Sequence, residues 1–138
     1  VLYENYDMDK REAEDLLDFV AMATVCDVMS LTGENRILVK EGLKRIRHTK
    51  NIGLPALMQA CNVQPENISA YHFGYVLGPC VNATGRLDTA RHALRLFETG
   101  QETEAEEIAR DLVDLNQERK ELTLQGVEMA KKLCEEGG

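Results

Sequence analysis

Apolar residues recur at helical spacing along almost the whole chain. Residues 10–29 are rich in Ala, Leu, Met and Glu, which favour helix, and Asp9 stands where an N-cap belongs. The segment begins with an apolar stripe (Ala13, Leu16, Leu17, Val20). From Phe19 onward apolar residues spread round the full circumference, so its far end is expected to be deeply buried. Thr32-Gly33 breaks the pattern. Residues 34–48 read as a second helix, with Ile37, Leu38, Leu43 and Ile46 toward the core and basic residues opposite. A turn at 51–53 leads to a short apolar helix over 54–61, and Pro65 marks the next helix start. Residues 69–77 carry Tyr71, Phe73 and Tyr75 in alternation, which fits either a helix or a buried strand. The run GPCVNATGR, residues 78–86, reads as a break. Asp88 is a candidate N-cap for a helix over 89–98, which Gly100 closes at the C′ position. One long helix is expected over 102–134. Ile108, Leu112, Leu115, Leu122, Met129 and Leu133 follow 4-3 spacing, with Arg119 and Gly126 on the two remaining seam positions. Such a helix docks on its own protein or, alternatively, pairs with a second copy in a homodimer. The fold class expected is all-α, with no internal repeat.

The chain has 138 residues, 43% of them hydrophobic, enough for the core of one domain or a piece of a larger one. The net charge of −8 argues against a general nucleic-acid coat. The charge is unevenly placed. Residues 1–18 hold seven acids against two bases, and residues 98–138 hold twelve acids against five bases. Between them, residues 32–52 hold six bases (Arg36, Lys40, Lys44, Arg45, Arg47, Lys50) against Glu34 and Glu41. That basic island either meets phosphate or is a solvated helix face. The four cysteines (Cys26, Cys61, Cys80, Cys134) form no CxxC pair and no zinc-spaced cluster with histidine, which points to reduced thiols and a cytoplasmic setting. Cys26 and Cys61 read as core residues, and His48, His72 and His92 as packing or surface residues. No basic leader precedes an apolar run, and the longest apolar stretch, cut by Asp18 and Asp27, falls short of a membrane span. The start at VLYENYD, without Met or cap, leads us to expect a piece excised from a longer protein.

Two stretches offer chemistry. In VAMATVCDVMSL, residues 20–31, one carboxylate, Asp27, stands among apolar neighbours. A buried carboxylate is costly unless it accepts hydrogen bonds or holds a cation, and hard divalent ions prefer such oxygens. One carboxylate does not make a metal site, and no obvious Asp or His partners accompany it. In GPCVNATGR, Gly78 and Gly85 permit close backbone approach, Asn82 donates and accepts, and Arg86 presents a fork suited to phosphate. The same run also reads as an interhelical turn with a surface arginine, and it is no Walker loop.

Taken in order, ATVCDVMSLTGENRILVKEGLKRI and, about thirty residues later, GPCVNATGR resemble the DHH phosphoesterase family. Within it they resemble the exonucleases that degrade single-stranded DNA 5′→3′, over roughly residues 6–128. The resemblance implies that Asp27, in the T-V-x-D run, is one carboxylate of a catalytic Mn²⁺ or Mg²⁺ site. It implies that Asn82 and Arg86, with Gly78 and Gly85, bind the nucleic-acid backbone beside the active-site cleft, and that Arg36, Lys40 and Lys44 track the strand. It further implies that residues 1–31 end a DHH domain and that residues 32–97 form a helical connector. Residues 98–138 would then be a helix leading toward an absent glycine-rich domain. Cys80 departs from a frequent arginine, and Ser30 from a frequent proline. The D-x-D and Asp-His-His motifs that supply the other ligands are missing, so the 138 residues alone are expected to be inactive. The expected role of the parent is metal-dependent exonuclease action on single-stranded DNA in repair and recombination. The alternatives are a non-catalytic helical interaction module and a piece of a DHH phosphoesterase acting on small nucleotides.

Overall fold

The computed structural model describes residues 5–6, 9–83 and 87–136. Its elements are all helical: α1 (Lys10–Glu14), α2 (Leu17–Cys26), α3 (Gly33–Arg45), α4 (Gly53–Ala60), α5 (Ala70–His72), α6 (Gly78–Asn82), α7 (Leu87–Glu98) and α8 (Glu102–Glu136). Short 3₁₀ turns follow α3 (Ile46–His48) and precede α5 (Pro65–Asn67). The all-α expectation holds among the described residues.

The first predicted helix is in fact two. Asp9 caps α1 as expected, its side chain accepting from the Arg11 amide at 2.9 Å. The chain then turns at Asp15-Leu16, and α2 starts afresh at Leu17. There Asp18, only 3% exposed, accepts from the Phe19 amide (2.7 Å) and from the Thr49 hydroxyl (2.5 Å). Asp18 thus satisfies an N-terminal amide of α2 and ties that end to the turn after α3.

Helix α3 lies along α2. Its core face is rotated from the one the spacing suggested. Val39, Gly42 and Ile46 are buried, Leu38 and Leu43 are half-buried, and Ile37 is exposed. Gly42 sets the register, because a Cβ there would lie 2.2 Å from the Leu17 carbonyl oxygen and 2.3 Å from the Ala21 Cβ. Helix α4 is anchored by Asn51, whose Oδ1 accepts from the Leu54 amide (3.0 Å) while its Nδ2 donates to the Phe97 carbonyl (2.8 Å). One side chain thereby caps α4 and fastens it to α7.

The ambiguous stretch is helical. Tyr71 and Tyr75 stack at 5.2 Å on an exposed face, and Phe73 is fully buried on the other. Residues 73–77 form a π-helical turn in which the Gly78 amide reaches back to the Phe73 carbonyl. Pro79 has no amide hydrogen and crowds the carbonyl four residues before it, which explains why the turn widens there. GPCVNATGR is therefore not a break at its start: its first five residues are α6. Thr84, Gly85 and Arg86 lie outside the described residues. Helix α7 begins at Leu87, which places Asp88 within it by position. Gly100 does not adopt the left-handed conformation expected of it.

Helix α8 docks on α4 and α7 with only its first half. Ala105, Ile108, Ala109, Leu112 and Asn116 are buried. From residue 117 onward every described position is exposed, including Leu122, Met129 and Leu133 of the predicted seam. The largest fully buried side chains are Phe73, Ile46, Leu54, Leu57, Met58, Leu77, Leu96 and Leu112.

Candidate functional site

Asp27 is not deeply buried. It is the exposed C-cap of α2, and the apolar residues after it are exposed too, Val28 by 88%. The apolar circumference read from the sequence is therefore covered only in part: Ala21 and Met22 are buried and Val25 and Cys26 half-buried, while Val28, Met29 and Leu31 are exposed. The buried carboxylate of this region is Asp18, which sequence spacing did not single out.

The backbone around Asp27 is unusual. The Met29 amide donates to the Thr24 carbonyl (3.2 Å) and the Val28 amide to the Val25 carbonyl (3.0 Å). This is a Schellman closure, which requires its C′ residue in the left-handed region. That residue is Val28, at φ 55°. Glycine adopts this conformation freely, whereas a β-branched residue is strained by about 1–3 kcal/mol. The strain sits immediately after the candidate ligand.

Fifty residues on, α6 closes against the same helix end. A Cβ on Gly78 would lie 2.6 Å from Cys26 Sγ and 2.6 Å from the Phe73 carbonyl oxygen. Cys26 Sγ contacts that carbonyl at 3.5 Å, and burial pushes the Cys26 thiol pKa up. The result is a groove of about 310 Å³ lined by Asp27, Ala23 and Phe19 on one side and by Gly78, Val81 and Asn82 on the other, with Phe97 at its end. The structure thus brings Asp27, Gly78 and Asn82 together. Beside it a second, apolar groove runs over Val28, Met29, Leu31, Tyr71 and Tyr75.

The charges of the basic island are partly paired. Arg36, Lys40 and Lys44 are carried on α3, with Lys44 paired to Glu41 at 2.7 Å. Lys44 also lies with Asp15 and Asp18 beside the N-terminal end of α2. That end is roughly 13 Å of helix from Asp27. Lys44 accordingly holds the Glu41 carboxyl below its usual pKa. Arg45 and Lys50 are taken up by Glu14 and Asp15. Exposed pairs of this kind contribute little to stability. Of the candidate strand-tracking residues, Arg36 and Lys40 remain unpaired among the described residues.

The donors present bear on whether a divalent ion fits. Mg²⁺ and Mn²⁺ take about six oxygen ligands. Asp27 offers one carboxylate, and no group of three His, Cys, Asp or Glu side chains converges among the described residues. These residues do not hold such an ion by themselves. No described helix is long and apolar enough to cross a membrane.

Set against known proteins, the chain is similar to exonucleases specific for single-stranded DNA. The particular exonuclease it resembles is RecJ. It is 40% identical to RecJ of Haemophilus influenzae and 42% identical to RecJ of Escherichia coli, each over 123 residues, 88% of this chain and 21% of the relative. It superposes on the Mg²⁺ complex of Thermus thermophilus RecJ with a TM-score of 0.79 at 34% identity, covering 94% of this chain and 20% of that one. A manganese-bound RecJ structure gives a TM-score of 0.80 at 34% identity, covering 97% of this chain and 33% of that one. No protein-family model matches. The chain is homologous to a segment of RecJ and spans about a fifth of the length of these curated relatives.

Proposed function

We propose that this chain is the helical part of a metal-dependent exonuclease that degrades single-stranded DNA 5′→3′ in repair and recombination. The observation that carries this reading is the convergence of the T-V-x-D run and the start of GPCVNATGR on one groove. In this reading residues 1–31 close the domain that bears the remaining metal ligands. Residues 32–97 are the connector, and residues 98–138 lead toward a further domain.

Asp27 supplies one carboxylate to a Mn²⁺ or Mg²⁺ ion whose other ligands lie outside the 138 residues. When bound, such ions activate water and stabilise charge on a scissile phosphate. Asn82, across the groove, contacts the DNA backbone, and Arg36, Lys40 and Lys44 attract the strand. Gly85 and Arg86 keep the phosphate role that the resemblance gives them. The uncovered apolar residues beside Asp27 support the reading, because exposed patches of this kind mark surfaces that another part of a protein covers. Alone, the 138 residues are inactive for want of ligands.

The test is Asp27→Asn in the intact parent protein. Manganese affinity, read by calorimetry, and DNA degradation are both expected to fall at least tenfold. Unchanged values for both would overturn the assignment.

A second reading rests on the exposed half of α8, where Leu122, Met129 and Leu133 present an apolar stripe with no partner among the described residues. A second copy could cover it as a coiled coil. Arg119 and Gly126 interrupt the seam, so sedimentation equilibrium of the 138-residue chain is expected to give a monomer. A concentration-dependent dimer would favour the interaction module.

A further inference from the structure

The helices bring together two cysteines that the sequence keeps nineteen positions apart. Cys61 is the C-cap of α4 and Cys80 lies in α6, and their Sγ atoms are 3.8 Å apart. Cys80 is buried, while Cys61 is half-buried and gives the pair a side toward solvent. The surroundings of Cys80 are unusually polar for a core thiol. Buried Asn116 of α8 directs Nδ2 at Cys80 Sγ (3.5 Å), and its Oδ1 accepts from Arg119 (3.0 Å).

We propose that Cys61 and Cys80 are a modification site: a dithiol that a hydroperoxide converts to a reversible intrachain disulfide joining α4 to α6. One thiolate of the pair attacks the peroxide oxygen, the O–O bond breaks, and the alcohol or water leaves with a proton, giving that cysteine's sulfenic acid. The other sulfur of the pair then attacks that sulfur and water departs, taking the remaining thiol proton. In sum, two thiols are oxidised by two electrons and one hydroperoxide is reduced to alcohol (or water) and water.

The electrostatics assist the first step. The contact with Cys61, the Asn116 amide and the nearby charges of Lys120 and Arg119 favour negative charge at Cys80 against its burial, while its thiol also has the Val76 carbonyl within reach as an acceptor (3.3 Å). The bond to Cys80 and burial push Cys61 the other way. The short S···S contact lets the two sulfurs share one proton, so a single thiolate forms in the pair. Cys26 has no such partner, and Cys134 lies on the exposed half of α8. Because Cys80 follows Gly78 within α6, the disulfide would fasten one wall of the Asp27 groove to the core. The dithiol chemistry is independent of any nuclease role.

The test treats the dilute 138-residue chain with a modest excess of hydrogen peroxide, then quenches, unfolds, alkylates and maps peptides by mass spectrometry. The expected product is intrachain, with two alkylatable thiols remaining of four. A Cys61–Cys80 peptide should dominate, and dithiothreitol should restore all four thiols. It should form faster than in urea, where the cysteines pair indiscriminately, and Cys61→Ser should abolish it. Four alkylatable thiols after treatment, cross-links that omit either residue, or a product that thiols do not reverse would overturn the proposal.

Discussion

Gly42→Ala is expected to destabilise the chain by about 3 kcal/mol or more, although alanine is the better helix former. The new methyl carbon would stand 2.2 Å from the Leu17 carbonyl oxygen and 2.3 Å from the Ala21 Cβ. Neither atom is the far end of a flexible side chain, so relief requires α2 and α3 to part. Overpacking of this kind usually costs about 1–3 kcal/mol, and a rigid backbone obstacle puts it at the upper end or beyond. Total stabilities are only about 5–15 kcal/mol, so the melting temperature should fall by roughly 10 °C. The same substitution at Gly126, where nothing lies within 4 Å of the new methyl on the exposed half of α8, should stabilise by a few tenths to about 1 kcal/mol. Calorimetric melting of both variants checks the pair. A tolerated Gly42→Ala would mean that α2 and α3 do not meet at Ala21 and Gly42.

Much of the helix order was legible because helical spacing is a local signal. The Asp9 cap, the Thr32-Gly33 boundary and the short α4 all fall where side-chain chemistry alone places them. What sequence could not supply is which apolar face finds a partner. Residues 20–31 look like core in isolation, yet Val28, Met29 and Leu31 are exposed within this chain. The seam of α8 likewise runs on past the last described residues that pack against it. In both cases the pattern reports burial somewhere, and only the packing says whether the partner lies inside the 138 residues.

The candidate site was legible in part as a geometry, for the same reason. Asp27 and Asn82 were picked out on separate grounds, by residue type and by resemblance, and the groove unites them. The strained Val28 gave no sequence signal, since nothing in a valine announces a positive φ. Cys80 was noted only as a departure from arginine. Its meeting with Cys61 and Asn116 depends on how α6 crosses α4 and α8, which no local pattern encodes. Lys44, grouped with Arg36 and Lys40 by charge, also lines a groove at the other end of α2, a placement that charge alone does not give.

Phe73→Ala should cost about 3–5 kcal/mol, as removal of a fully buried aromatic ring does when the cavity cannot collapse. The alternation Tyr71-Phe73-Tyr75 makes this substitution informative. In a strand the three side chains would share one face, and in a helix the tyrosines share a face from which Phe73 points away. The structure has the tyrosines stacked and exposed, so Tyr71→Ala and Tyr75→Ala should each change stability by about 0.5 kcal/mol or less. Urea titration of the three variants separates the arrangements, for similar losses at all three positions would contradict the helical turn. Phe73 also bears on the groove. Its carbonyl receives both the Gly78 amide across the π turn and the Cys26 thiol from the end of α2. Loosening this residue should therefore free Gly78 from Cys26 and separate Asn82 from Asp27. Hydrogen exchange at the Gly78 amide should quicken in Phe73→Leu, which keeps most of the core volume and leaves the chain folded.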